Sequence, residues 1–364
     1  MTPNQMTGPV IVTKNLTRTF TTRNHTVEAV RGLDLEIGQG ELVAFLGPNG
    51  AGKSTTLRML TTLIPPTSGT ASVAGHDVVD EQRQVRRSIG YVGQGNGAGH
   101  QQRGRDELVS QGRAHGLSRA SARARADELV ADLDLSAVAD RTVMTLSGGQ
   151  RRRLDIAMGL VHTPRVLFLD EPSTGLDPQN RANLQSLVQK LHAETGSTIV
   201  LTTHYLEEAD ALAERVIVID HGSVIADDTA FSLKSRLGDR ILLGFTDAED
   251  AGVAAERAGN LAGGVAGAVV RREGAAVELR VTGGHELAPH LIHDLHSRGV
   301  VACSMEVSRP TLDDVFLDLT GRSLREASEG AGSPTADDST THDEPNNDGP
   351  NNNNRPTATE ETAA

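Results

Sequence analysis

The 364-residue chain has one cysteine, Cys303, no tryptophan, and aromatic residues at only 2%. Each shortage removes a class of function. One thiol cannot form an intrachain disulfide, which leads us to expect a reducing, cytosolic setting. Cys303 has no metal-ligand neighbours and reads as a small apolar residue in a strand. Few aromatics leave few platforms for stacking bases. No run of about 20 apolar residues is present, so no bilayer-spanning helix is predicted. Residues 1–9 are too short and polar to read as a secretory leader. Positive charge is also in the minority: 35 Lys and Arg face 48 Asp and Glu, a formal net charge of −13. That balance argues against a nucleic-acid surface and predicts no nucleic-acid partner, although much of the acidity lies in a polar tail. The length suggests roughly two domains.

What is present centres on Gly47-Pro48-Asn49-Gly50-Ala51-Gly52-Lys53-Ser54-Thr55. This fits G-x-x-x-x-G-K-[ST], a loop that cradles nucleotide phosphates. Residues 41–46 (E-L-V-A-F-L) before it read as a buried strand, and residues 55–64 after it have helical apolar spacing. A strand, a glycine-rich bend and a helix start aim backbone N–H groups and the positive dipole end at an anion. Lys53 supplies a mobile charge for the β- and γ-phosphates, and the Ser54 hydroxyl can ligate Mg²⁺.

Other segments fall into order around this loop. Residues 10–20 and 26–37 alternate like strands of a half-buried sheet, with Phe20 placed either to stack on an adenine ring or to fill a core. Pro65-Pro66 should end the first helix. Strands are predicted at 70–73 and 88–92, and Gln94 follows in a glycine-rich stretch, its amide within reach of a metal or an attacking water. Residues 105–121 and 122–133 read as helices of an insertion whose Arg119, Arg123 and Arg125 form a solvated face. Leu146-Ser147-Gly148-Gly149-Gln150 opens another helix, with Ser147 as its cap and bare amides at Gly148 and Gly149, a second anion site. Residues 166–169 are wholly apolar, as in a central parallel strand, and end in Asp170-Glu171. A carboxylate at the C-terminal end of such a strand faces the ligand crevice. Asp170 suits Mg²⁺ through water, and Glu171 suits polarising the attacking water. Ser173 to Asp177 turn the chain into a helix, and His204 stands just past a buried strand at 198–202, placed to hydrogen-bond a γ-phosphate. Residues 215–220 and 222–226 read as a hairpin.

From about residue 235 the pattern becomes β-α-β-β-α-β, a small α+β sandwich of ferredoxin type. His285, His290, His293 and His296 cluster there. The pair His293/His296 has a possible metal spacing, but no carboxylate or thiol completes a site. After Arg322 the chain is rich in Ser, Thr, Asp, Asn and Pro and is expected to be disordered.

Taken together, residues 10–235 resemble the ATP-binding subunit of an ABC transporter. Residues 47–55 resemble its Walker A loop, Gln94 the Q-loop glutamine, Leu146 to Gln150 the LSGGQ signature, and Val166 to Glu171 Walker B with its catalytic glutamate. Ser173 to Asp177 are similar to the D-loop, His204 to the switch histidine, and Phe20 to the adenine-stacking aromatic. Residues 309–322 (R-P-T-L-D-D-V-F-L-D-L-T-G-R) resemble the end of the daunorubicin/doxorubicin-resistance type, which exports drugs and other amphipathic compounds through a separate membrane subunit. The resemblance implies an α/β fold of P-loop NTPase type with an antiparallel β layer, an ABC domain over 8–235 with a helical insertion at about 100–162, an α+β accessory domain over 236–322, and a polar tail over 323–364. It further implies ATP and Mg²⁺ as ligands, ATP hydrolysis coupled to transport, a head-to-tail homodimer when ATP is bound, a polytopic permease partner, and a place on the cytoplasmic face of the membrane. A soluble ABC ATPase of ribosome or DNA, and an importer ATPase, are the alternatives. The segment after Gln94, Gln102-Arg103-Gly104-Arg105-Asp106-Glu107, departs from the family's apolar-Thr and Arg-Glu-Asn pattern.

Overall fold

A computed structural model describes residues 8–22, 25–95, 97–99, 101–265 and 267–324. Of the tail expected to be disordered over residues 323–364, Ser323 and Leu324 are described, and Leu324 is buried in the core rather than solvated; residues 325–364, and Asn96 of the glycine-rich stretch, lie outside the described residues. Strands β1 (Ile11–Thr21) and β2 (Thr26–Ile37) pair antiparallel, with Ile11, Leu16, Leu33 and Ile37 turned into the core. Strand β3 (Leu42–Leu46) is buried at every position, as its unbroken apolar run requires. Helix α1 (Lys53–Leu60) follows the phosphate loop. It ends four residues before the expected Ile64. Thr62 takes φ 62°, and the N–H groups of Thr62 and Leu63 donate back to Met59 O and Arg58 O. This left-handed cap, not the Pro65-Pro66 pair, terminates the helix.

Strands β4 (Ser68–Val73) and β5 (His76–Asp77) complete a first sheet of order β2-β1-β4-β5. Helix α2 (Gln82–Ser88), not foreseen, buries only Val85 and so carries no apolar stripe to read. It leaves strand β6 as Ile89–Val92. The insertion holds α3 (Gly104–Ala114) and α4 (Arg119–Asp132). The two were expected to meet at residues 121–122. The break falls earlier, at Gly116, whose φ of 91° suits glycine.

Next come α5 (Gly148–Leu160), β7 (Val166–Asp170), α6 (Pro178–Thr195), β8 (Thr198–Thr203), α7 (Leu206–Leu212), β9 (Arg215–Asp220), β10 (Ser223–Asp228) and α8 (Ala230–Ser235). The second sheet has the order β10-β9-β3-β8-β7-β6. All its pairings are parallel except the β9–β10 hairpin. The C-terminal ends of β3, β8, β7 and β6 therefore stand side by side, where ligands of open α/β sheets bind.

Beyond residue 238 the chain forms β11 (Asp239–Gly244), α9 (Ala248–Ala262), β12 (Val269–Glu273), β13 (Ala276–Val281), α10 (Gly284–Ser297) and β14 (Ser304–Ser308). Their order in the third sheet is β12-β13-β11-β14, all antiparallel, the ferredoxin-type arrangement. Strand β14 starts at Ser304 rather than at Val301. Cys303 is therefore exposed and outside the strand, not packed within it. Helix α11 (Leu312–Thr320) then packs Leu312, Val315 and Phe316 back into the larger core, beside Leu212 and Leu233. Among the described residues no helix is long and apolar enough to cross a membrane, and no cluster of His, Cys, Asp and Glu could hold a metal.

Candidate active site

Four adjacent strand ends carry four of the predicted motifs. The phosphate loop follows β3, His204 follows β8, Asp170-Glu171 close β7, and Gln94 follows β6. The glycines of the loop have distinct reasons. Gly52 sits at φ 104° as the cap of α1, and a Cβ there would collide with Ala29 O. At Gly47 a Cβ would collide with the Ile219 carbonyl of β9, so close packing excludes a side chain.

Lys53 is only 4% exposed, and its Nζ donates to Gly47 O at 2.6 Å and Pro48 O at 2.9 Å. Burial pulls its pKa down to about 8, against the opposing pull of Glu171 and Asp170. Asp170 is fully buried and accepts from Ser54 Oγ at 2.7 Å and Thr202 Oγ1 at 2.8 Å. Gln94 Nε2 donates to Ser54 Oγ at 3.3 Å. Ser54, Gln94 and Asp170, the three expected metal ligands, thus lie in one hydrogen-bonded chain.

Glu171 adopts φ 45°, a left-handed conformation that a non-glycine residue takes at a cost. The Thr202 hydroxyl accepts from its N–H at 2.9 Å and, by also donating to Asp170, orients both acids. The Glu171 carboxylate accepts from Thr174 Oγ1 at 3.1 Å. His204 Nδ1 lies 3.4 Å from Glu171 Oε2 but off the hydrogen-bond axis, so the contact is electrostatic. The His204 side chain holds the Glu171 carboxyl below the usual range, helped by Lys53 and Thr174 and opposed by burial.

Ser147 and Gln150 form a reciprocal capping box at the start of α5, with Ser147 Oγ accepting from Gln150 N and Gln150 Oε1 from Ser147 N. The expected cap is therefore in place, and Gly148 and Gly149 follow it with no side chain over their amides. Asp177 caps α6 with its side chain alone, accepting from Asn180 N at 3.2 Å. Among the described residues no hydrogen bond joins Ser147–Gln150 or Asp177 to the phosphate loop. Phe20 is 38% exposed on β1 under the Arg18 guanidinium, so it is not the core residue that one reading allowed.

Sequence reasoning passed over two groups. Thr202 is a strand residue whose role only the fold reveals. Arg152 is 8% exposed and donates to Gly93 O, Pro172 O and Asp170 O at 2.6, 2.8 and 3.2 Å. It ties α5 to the loops after β6 and β7. Nothing in the run Arg151-Arg152-Arg153 singles it out, because helix phase alone decides which arginine turns inward. Beside Gln94 a groove of about 360 Å³ is lined by Tyr91, Gly93, His115, Asp155, Met158 and His162. The His115 and His162 rings stack there at 3.8 Å, and burial pulls His162 down to about 4.

Comparison with known proteins agrees with this geometry. The ABC transporter family matches residues 30–174. The daunorubicin resistance ATP-binding protein DrrA3 of Streptomyces coeruleorubidus is 44% identical over 83% of this chain and 94% of its own length. The daunorubicin/doxorubicin resistance ATP-binding protein DrrA of Streptomyces peucetius is 45% identical over 83% and 92%. The linearmycin resistance ATP-binding protein LnrL of Bacillus subtilis is 34% identical over 82% and 95%. Among solved structures, the dimeric post-hydrolysis state of the ATP-binding cassette MJ0796, bound to ADP and Pi, matches with a TM-score of 0.55 at 29% identity, covering 60% of this chain and 98% of that one. A phosphate loop, two acids and a histidine on adjoining strand ends, in a chain matched to such relatives over most of its length, place this protein in the family of ABC transporter ATP-binding subunits, as an ATPase similar to those of daunorubicin and doxorubicin resistance.

Proposed function

We propose that this subunit binds and hydrolyses ATP to energise export of drugs or other amphipathic compounds through a separate polytopic permease at the cytoplasmic face of the membrane. The reading rests on one observation above others: Gln94, Ser54 and Asp170 form one hydrogen-bonded chain, Thr202 links Asp170 to Glu171, His204 lies 3.4 Å from Glu171, and Lys53 is held inside the phosphate loop beside them. Residues 8–235 act as the nucleotide-binding domain. Residues 236–322 act as the accessory domain, and their last helix straps back onto the first.

The phosphates sit on the amides of residues 47–55, with the Lys53 ammonium against the β- and γ-oxygens. The Ser54 hydroxyl, the Gln94 amide and, through water, the Asp170 carboxylate offer hard oxygen donors of the kind Mg²⁺ takes. When bound, the ion neutralises charge on the phosphate oxygens. Glu171 orients and polarises the attacking water, and its depressed pKa keeps it ionised for that task. His204 bridges Glu171 to the γ-phosphate, and Phe20 stacks on the adenine.

Ser147 to Gln150 and Asp177 serve a second copy. A two-fold, head-to-tail pair places the α5 amides of one chain on the γ-phosphate held by the other, making two identical sites. The ligand then acts as glue, and its hydrolysis releases the pair, because the phosphate contacts exist in one state and not the other. The region after Gln94, including residues 102–107, where the chain departs from the family pattern, faces the permease.

Two measurements test the reading. Lys53→Ala should lose nucleotide binding, and the full-length chain should co-purify with a polytopic membrane protein. Co-purification with ribosomes or DNA instead would favour the soluble alternative.

A further inference from the structure

Beneath the active site lies a buried carboxyl that the mechanism above does not use. Glu208, on α7, is 1% exposed, and neither of its oxygens has an aligned hydrogen-bond partner. Two more buried polar atoms nearby lack aligned partners: Ser173 Oγ in the loop after Glu171, and His204 Nδ1. Such atoms are rare in folded proteins, and four in one place call for an explanation. The Ser173 hydroxyl is one of the polar neighbours acting on Glu208, together with Thr203, Arg181 and His204.

The location of the cluster suggests what it is for. Ser173 is fully buried and stands two residues past Glu171 and four before Asp177. Glu208 stands four residues past His204. The carboxyl therefore joins the loop that reaches toward a second copy to the segment carrying the histidine. A second tie runs in parallel: the Arg181 guanidinium of α6 stacks on the Tyr205 ring at 4.0 Å, so the helix capped by Asp177 leans on the same segment. Thr203 Oγ1 is already engaged, accepting from Tyr205 N at 2.9 Å and donating to Tyr205 O at 3.5 Å. The Ser173 hydroxyl, with no aligned partner, is left as the donor nearest to hand.

We propose that Glu208 is a positioning residue that couples the 173–177 loop to His204. When a second copy presses on the Asp177 end, the Ser173 hydroxyl turns to donate to the Glu208 carboxyl. The loop and α7 then move as one body, and His204 is set against Glu171. Burial raises the Glu208 pKa, the state expected of an acid that waits for a donor.

This inference rests on the ATPase reading, and a double-mutant cycle separates the two. Steady-state turnover and equilibrium binding of ATP are measured for the full-length wild type, Glu208→Gln, Ser173→Ala and the double variant. Glu208→Gln and Ser173→Ala should each lower kcat by about tenfold with KM and ATP affinity unchanged, and the double variant should be no slower than either single one. A merely structural role would lower melting temperature and affinity together and leave the kcat losses additive. Wild-type kcat in a folded Glu208→Gln, or losses that multiply, would overturn the coupling. Should Glu208→Gln fail to fold, Ser173→Ala removes only a hydroxyl, and normal kcat in it overturns the proposal alone. Wild type that hydrolyses no ATP would instead sink the functional reading itself.

Discussion

The region of the first two sheets and the ferredoxin-type region that follows it both pack helices on strands, yet their interiors differ in kind. Every buried polar or charged side chain among the described residues lies between Thr13 and Asp220, including Lys53, Arg152, Asp155, Asp170 and Glu208. The ferredoxin-type region buries only apolar groups, chiefly alanine on α9 and leucine and valine opposite it. Burying an ion costs several kcal/mol unless partners offset it. The first region bears that cost because its chemistry needs it. The second is held together by shape alone.

The comparison can be broken by experiment. Its largest expected effect is at Glu171. Glu171→Gln should bind ATP normally but lower turnover by about 100- to 10,000-fold, the usual worth of a positioned acid or base. Normal turnover, read by phosphate release, would place the chemistry elsewhere. In the other region Leu291→Ala should cost about 3 kcal/mol of stability by leaving a cavity. Urea unfolding measures it, and ATP affinity should not move; a parallel loss of affinity would mean the two interiors are not separable.

Lys53 gives the next effect, with a definite sign. Its folded pKa of about 8 lies below the ordinary 10.5, so the unfolded chain holds more protons between these values. Stability therefore rises with pH in that window, and the cost of the buried charge is fully felt below it. Relative to Lys53→Met, the wild type should gain about 2 kcal/mol between pH 8 and 10. Parallel urea midpoints at the two pH values would contradict this. The smallest effect is expected at Arg298, half-exposed and paired with Asp294 on α10. Arg298→Ala should cost less than about 1 kcal/mol, and a larger loss in the urea midpoint would show that surface pairs, not the apolar interior, hold this region.

The same contrast explains what could be read from the amino acids. Local order carries the phosphate loop, the Ser147 cap and the acids after an apolar strand, so each was legible and each is found on its predicted element. The β-α-β-β-α-β succession was legible for the same reason. What escaped depends on tertiary geometry. Helix α1 stops at Leu60 because Thr62 turns left-handed, which threonine does not announce. Helix α2 buries one residue and shows no stripe. Arg152 and Thr202 act through burial and direction, and in sequence they are one arginine of three and one threonine of a strand. Glu208 was visible as a helix acid beside Glu207, but nothing distinguishes the buried one from its exposed neighbour. Cys303 lies outside β14 because the edge strand begins one residue later.

In the proposed pair, ATP held in one chain is sealed by Ser147 to Gln150 of the other. Sedimentation of purified Glu171→Gln with and without Mg·ATP tests it most directly. The account predicts a doubling of mass with Mg·ATP that is lost when Ser147 is also replaced by a bulky residue. A single-chain mass under saturating Mg·ATP would contradict it.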